Sequence, residues 1–143
     1  MRHDLTVSKS VLINAPAAKV WEVLTRPELI KEYLYGTDTL TDWKVGSDIV
    51  FQGEYNGQQY RDHGKILSFT PHEGLSYSYW SGFSGIEDKP ENYSVITYTL
   101  EPEGPDQTRF TWSQKGFASE QGYQHSEAST GMLLDQIKNI AER

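Results

Sequence analysis

Few residues in this chain have types and spacing suited to chemistry. There are four histidines, twenty acidic residues and no cysteine, which removes thiolate ligands, cysteine nucleophiles and disulfides together. His3 belongs to the N-terminal tail, His72 to a turn beside Glu73, and His125 to a helix surface near Glu120 and Glu127. No two histidines stand at metal-ligand spacing, so neither a metal nor a cofactor is expected. Gly82-Phe83-Ser84-Gly85 lacks the spacing and flanking elements of a phosphate loop, no nucleophile elbow occurs, and no catalytic residue is assigned. Two features remain. One is the polar run Arg61-Asp62-His63 inside a strand pattern; the other is an aromatic share of 13%, with nine Tyr and four Trp. If Tyr60, Asp62, Gly64 and Ile66 share the inner face of that strand, Asp62 points inward while Arg61, His63 and Lys65 face water. A bulge near Gly64 would reverse the assignment.

Those residues require elements to carry them. Leu5, Val7, Val11 and Ile13 alternate with polar residues as in a half-buried strand. Asn14-Ala15-Pro16 then opens a helix whose apolar face is Val20, Trp21 and Leu24. Pro27 ends it and starts a second short helix through Leu34, with Leu29, Ile30, Tyr33 and Leu34 on one side. Residues 36–47 read as a loop or ragged edge strand. Strands at 49–55 and 59–69 flank Asn56-Gly57, a hairpin turn in which both residues tolerate positive φ. A strand at 75–80, a polar loop from Ser81 to Asn92, and strands at 93–100 and 108–114 joined by a long polar turn, Glu101 to Gln107, complete the series. From Ser119 to Arg143, Tyr123, Thr130, Leu133, Leu134, Ile137, Ile140 and Ala141 form one helical stripe.

The predicted fold class is therefore α+β: an antiparallel sheet of six or seven strands against a long C-terminal helix, with two short helices after the first strand. Length, and the absence of repeats or linkers, predict a single domain over residues 1–143. The net charge of −7, with scattered Lys and Arg, argues against nucleic acid and anionic membranes. No apolar run suits a signal peptide or a membrane span, and the lack of cysteine fits a reducing compartment, so a soluble, cytoplasmic protein is expected.

The alternation turns Phe51 and Tyr55, Tyr77 and Tyr79, Tyr98, Phe110 and Trp112 inward, beneath Thr130, Leu133, Leu134 and Ile137 of the last helix, with Met132 beside them. These aromatics either interdigitate as a solid core or wall a pocket with Asp62. Tyrosine hydroxyls favour the pocket, because a buried phenol needs a hydrogen-bond partner. The N-terminal half of the helix, with small polar residues Ser126, Ser129, Thr130 and Gly131, is where such a pocket is expected to open.

Ile13-Asn14-Ala15-Pro16, Val20-Trp21, Leu24-Thr25, Pro27-Glu28, Trp43-Lys44-Val45-Gly46-Ser47, Gly64-Lys65-Ile66 with Pro71, Leu75-Ser76-Tyr77, and Val95 to Pro102 recur in order and spacing. Together they resemble the homologues of the activator of the 90-kDa heat-shock chaperone ATPase, within the birch-pollen-allergen and START-like superfamily. The resemblance covers nearly the whole chain. It implies a helix-grip fold with a cavity between sheet and helix, often for a lipid or other apolar molecule. Many relatives carry Gly-Trp where this chain has Gly131-Met132, a departure expected to reshape packing under the helix. The expected function is binding of an apolar or aromatic small molecule or lipid. The alternative is a stress-response adaptor whose partner is a heat-shock chaperone, and a cyclase- or hydrolase-type enzyme using Asp62, His63 and the tyrosines ranks below both.

Overall fold

The computed structural model of the protein describes residues 1–143. Strand β1 (Arg2–Ile13) is followed by helices α1 (Ala17–Thr25) and α2 (Pro27–Tyr33). Then come β2 (Asp38–Leu40), β3 (Asp48–Tyr55), β4 (Gln58–Thr70), β5 (Gly74–Tyr79), β6 (Ser94–Gly104), β7 (Gln107–Phe117) and helix α3 (Glu120–Glu142). The strands form one antiparallel sheet in the order β1-β7-β6-β5-β4-β3-β2, so the first strand pairs with the last. Helix α3 lies against β1 and β7 with α1 and α2 beside it, which is the helix-grip arrangement.

Local chemistry explains the joints. Arg26 is extended (φ −86°, ψ 119°) because Pro27 follows it, and this breaks the helical segment into α1 and α2. Asn56 and Gly57 both take positive φ, 50° and 78°, closing the β3–β4 hairpin with Tyr55 paired to Gln58. Ser119 Oγ accepts from the Gly122 amide at 3.1 Å and starts α3. Thr130, Leu134, Ile137 and Ala141 are its buried stripe, with Tyr123, Leu133 and Ile140 packed at the margins.

Two sequence expectations are corrected here. The stretch Glu101 to Gln107 is not a long turn: β6 and β7 stay paired out to Gly104 and Gln107, and Arg109 bonds Glu103 at 3.0 Å. Both faces of that ribbon are wet, so the burial pattern that marks a strand is missing there. Met132 is 63% exposed, so the residue standing in place of tryptophan faces solvent and does not reshape the interior.

At Gly64, β4 lies close against β5. A Cβ on it would fall 1.6 Å from the Ser78 carbonyl oxygen, and the Lys65 amide donates to Ser78 Oγ at 3.0 Å instead of to a backbone carbonyl. The register shifts between Ile66 and Ser68, an irregularity of the kind that bends a sheet. Upstream of it Asp62, Gly64 and Ile66 are all buried, as the period of two predicts; beyond it the inward residue is Phe69, three positions after Ile66, so the phase changes at the shift.

Candidate functional site

The inner face of β3, β5, β6 and β7 carries a connected run of rings. Phe51 packs on Tyr77 and Tyr79 (centroids 5.6 and 5.9 Å), Tyr77 meets Tyr98 edge-on at 5.8 Å, and Tyr98 meets Phe110 at 5.6 Å. These rings do not fill the space under α3. A cavity of 260 Å³ lies between them, α2 and the middle of α3, and twelve of its fifteen lining residues are hydrophobic. Thr37, Asp62 and Gln114 are the polar exceptions.

Each polar group has a structural cause. Asp62 is held inward by the β4 alternation and is only 7% exposed. Its Oδ2 accepts from the Tyr79 hydroxyl at 2.7 Å, while Oδ1 has no hydrogen-bond partner in the protein. The Tyr77 and Tyr98 hydroxyls are hydrogen bonded at 3.0 Å. Thr37 donates to the Leu34 carbonyl at 2.7 Å, leaving its oxygen to accept from Tyr60. Tyr60 in turn lies over Gly53, its cross-strand partner, where a side chain would collide with the phenol.

Burial raises the phenol pKa values of Tyr33, Tyr77 and Tyr98 above the ordinary range. Tyr79 is raised by burial first and then by the Asp62 carboxylate. These phenols are therefore neutral donors at physiological pH. Tyr35, 79% exposed and at φ 52°, follows α2 and marks the opening, where Gln136 of α3 donates to its hydroxyl at 3.2 Å.

Of the residues singled out from sequence, Phe51, Asp62, Tyr77, Tyr79, Tyr98, Trp112, Leu133 and Ile137 line this cavity. Four do not. Tyr55 keeps the inward phase of Phe51 but lies at the hairpin end and is 66% exposed. Phe110, Thr130 and Leu134 are buried but form part of the packing and not the cavity lining. Nor does the cavity open beneath the N-terminal half of α3: Thr130 there donates to the Ser126 carbonyl at 2.7 Å, and the lining residues are Leu133 and Ile137.

Seven lining residues were not assigned to the cavity from sequence: Tyr33 and Leu34, placed only on the apolar side of α2, Tyr60, placed on the inner face of its strand with Asp62, and Tyr35, Thr37, Ile96 and Gln114. Strand period could have found the last two, since Ile96 is in phase with Tyr98 and Gln114 with Trp112. The α2–β2 residues carry no such local signal.

A second, larger groove of 690 Å³ lies on the outer face, under the loop between β5 and β6. His63 is there, on the opposite side of the strand from Asp62, bonded to Asp88 at 3.0 Å. Lys65 pairs with Asp48 at 2.7 Å. Only two of the ten groove residues are hydrophobic and much of its charge is already paired, so the inner cavity is the better candidate despite its smaller volume. Asp62 and His63 cannot act on one substrate atom, which removes the joint acid–base role considered for them.

A profile of the family described as activator of Hsp90 ATPase homolog 1-like protein matches residues 14–142. The chain belongs to this family. Solved structures share the fold of this AHSA1-like chain. A Cytophaga hutchinsonii protein is 40% identical, with TM-score 0.82 over 96% of this chain and 94% of its own. A Chromobacterium violaceum protein is 19% identical, with TM-score 0.78 over 98% and 99%. The Aha1 dimer of Colwellia psychrerythraea is 18% identical, with TM-score 0.73 over 96% of both chains. The last two show the fold alone. No curated protein matches the chain significantly. No helix of this AHSA1-like chain is long and apolar enough to cross a membrane.

Proposed function

We propose that this single-domain, cytoplasmic member of the AHSA1-like family binds an apolar or aromatic small molecule or lipid between its sheet and α3. The observation that carries the reading is the 260 Å³ cavity walled by Phe51, Tyr77, Tyr79 and Leu133 in a chain whose other inward side chains pack closely. A cavity of about 150 Å³ lined by apolar side chains takes up benzene, so this one suits a bicyclic ring or a folded chain segment. Burying about 200 Å² of ligand surface at about 25 cal/mol per Å² supplies about 5 kcal/mol, a sub-millimolar Kd before any polar contact. Titration with lipids and planar aromatics, followed by amide NMR shifts, tests this. Shifts confined to α2, β3–β5 and the middle of α3 are expected, and an interior silent to the whole set refutes it.

The family description supports a second reading, an adaptor acting on a heat-shock chaperone. It predicts that the purified chain accelerates the chaperone's ATPase. Unchanged turnover at saturating protein removes it.

A further inference from the structure

The cavity contains one carboxylic acid and no basic side chain. Asp62 is more than nine-tenths buried, its Oδ2 is taken by Tyr79, and its Oδ1 has no protein partner. Arg61, His63 and Lys65, its nearest cations along the strand, belong to the outer groove. Phe51, the cross-strand partner of Asp62, packs on the Tyr79 ring whose hydroxyl holds the carboxylate, so aromatic side chains stand beside the acid. A carboxylate oxygen without a donor is costly in such surroundings, and aromatic faces carry negative quadrupole charge. Both features are complementary to one kind of head group. A neutral hydroxyl would satisfy Oδ1 but leave the charge uncompensated; an acid would be repelled; an ammonium supplies donor and charge together and gains from the rings.

We infer that the ligand of this cavity is an amine: a hydrophobic, bicyclic-sized body whose protonated nitrogen bonds Asp62 Oδ1 while Tyr79 holds Oδ2. The inference rests on the cavity being a ligand site and specifies which class of molecule fills it. Fatty acids and aromatic carboxylates are thereby excluded as preferred ligands.

The test uses naphthylmethylamine, naphthylmethanol and naphthoate, which share one ring system, titrated by NMR and calorimetry at neutral pH. The amine should bind at least about tenfold tighter than the alcohol, and naphthoate at least about tenfold weaker than it. In Asp62→Asn the amine and alcohol should bind alike, and Tyr79→Phe, which retains the carboxylate, should keep the amine preference. The wild-type series stands whether or not either variant folds. If the alcohol binds in the cavity and the amine binds no better, the inference is overturned while the binding function stands. An amine preference that persists in Asp62→Asn overturns the role given to Asp62. If no member of the series shifts the cavity residues, the inference and the binding function fall together.

Discussion

Replacing Asp62 by leucine and Tyr79 by phenylalanine together should make the protein more stable. The wild-type pair contributes one charge-assisted hydrogen bond at 2.7 Å, worth about 1.5–3 kcal/mol net. Against it stands the desolvation of a carboxylate buried among rings, several kcal/mol, with Oδ1 uncompensated. Leucine adds apolar burial of about 1.5–3 kcal/mol in the same place. The expected balance is a gain of about 1–4 kcal/mol, in the range seen when buried ionic groups give way to apolar ones of similar size. For a chain of this length each kcal/mol moves Tm by about 2–4 °C. Asp62→Leu alone should do worse than the pair by about 1–3 kcal/mol, because it leaves the Tyr79 hydroxyl buried without a partner. Urea unfolding of the three proteins, with an unchanged m-value as the control, reads this directly. A double variant less stable than wild type by more than about 1 kcal/mol would refute the reasoning, since Asp62 and Tyr79 would then be a structural pair and not a feature kept at the expense of stability.

Three further outcomes follow from the geometry. Gly64→Ala should lose at least about 2 kcal/mol in urea unfolding, because its Cβ meets backbone at Ser78 and not a movable side chain; a neutral result contradicts the close approach of β4 and β5. Leu133→Trp should fill part of the cavity, raise stability by about 1 kcal/mol and abolish naphthylmethanol binding by calorimetry; undiminished binding would place the ligand elsewhere. Phenolate absorbance in an alkaline titration should show four of the nine tyrosines, Tyr33, Tyr77, Tyr79 and Tyr98, ionising only as the chain unfolds. Their folded pKa values lie above the unfolded value of about 10, so the stability they contribute is complete below that pH and is lost as pH rises above it. Ionisation of these four ahead of the loss of far-ultraviolet dichroism contradicts their burial.

How much was legible from sequence depended on whether the relevant interaction was local. Asn56-Gly57, Pro16 and Pro27 fixed their turns and helix starts because φ preference acts within two or three residues. The α3 stripe and the inward phase of Asp62 followed from periodicity, and the close approach at Gly64 did not disturb it. Tyr55 was misplaced because phase says which face a side chain takes but not where the covering helix stops. Phe110 and Leu134 were misassigned for a related reason: alternation puts them inward, yet only three-dimensional packing separates the filled end of the interior from the open one. Tyr33 was seen on the apolar side of α2, but its place in the cavity wall comes from the docking of that helix against the sheet, which no spacing in the chain encodes.

The central claim, that a small apolar molecule binds between sheet and helix, is tested most directly by intermolecular NOEs between naphthylmethanol and the methyl groups of the labelled protein. Contacts to Ile96, Leu133 and Ile137, which face one another across the cavity from β6 and α3, are predicted. Contacts to exposed Val45, Leu67 or Val95 alone, or none at all, would contradict it.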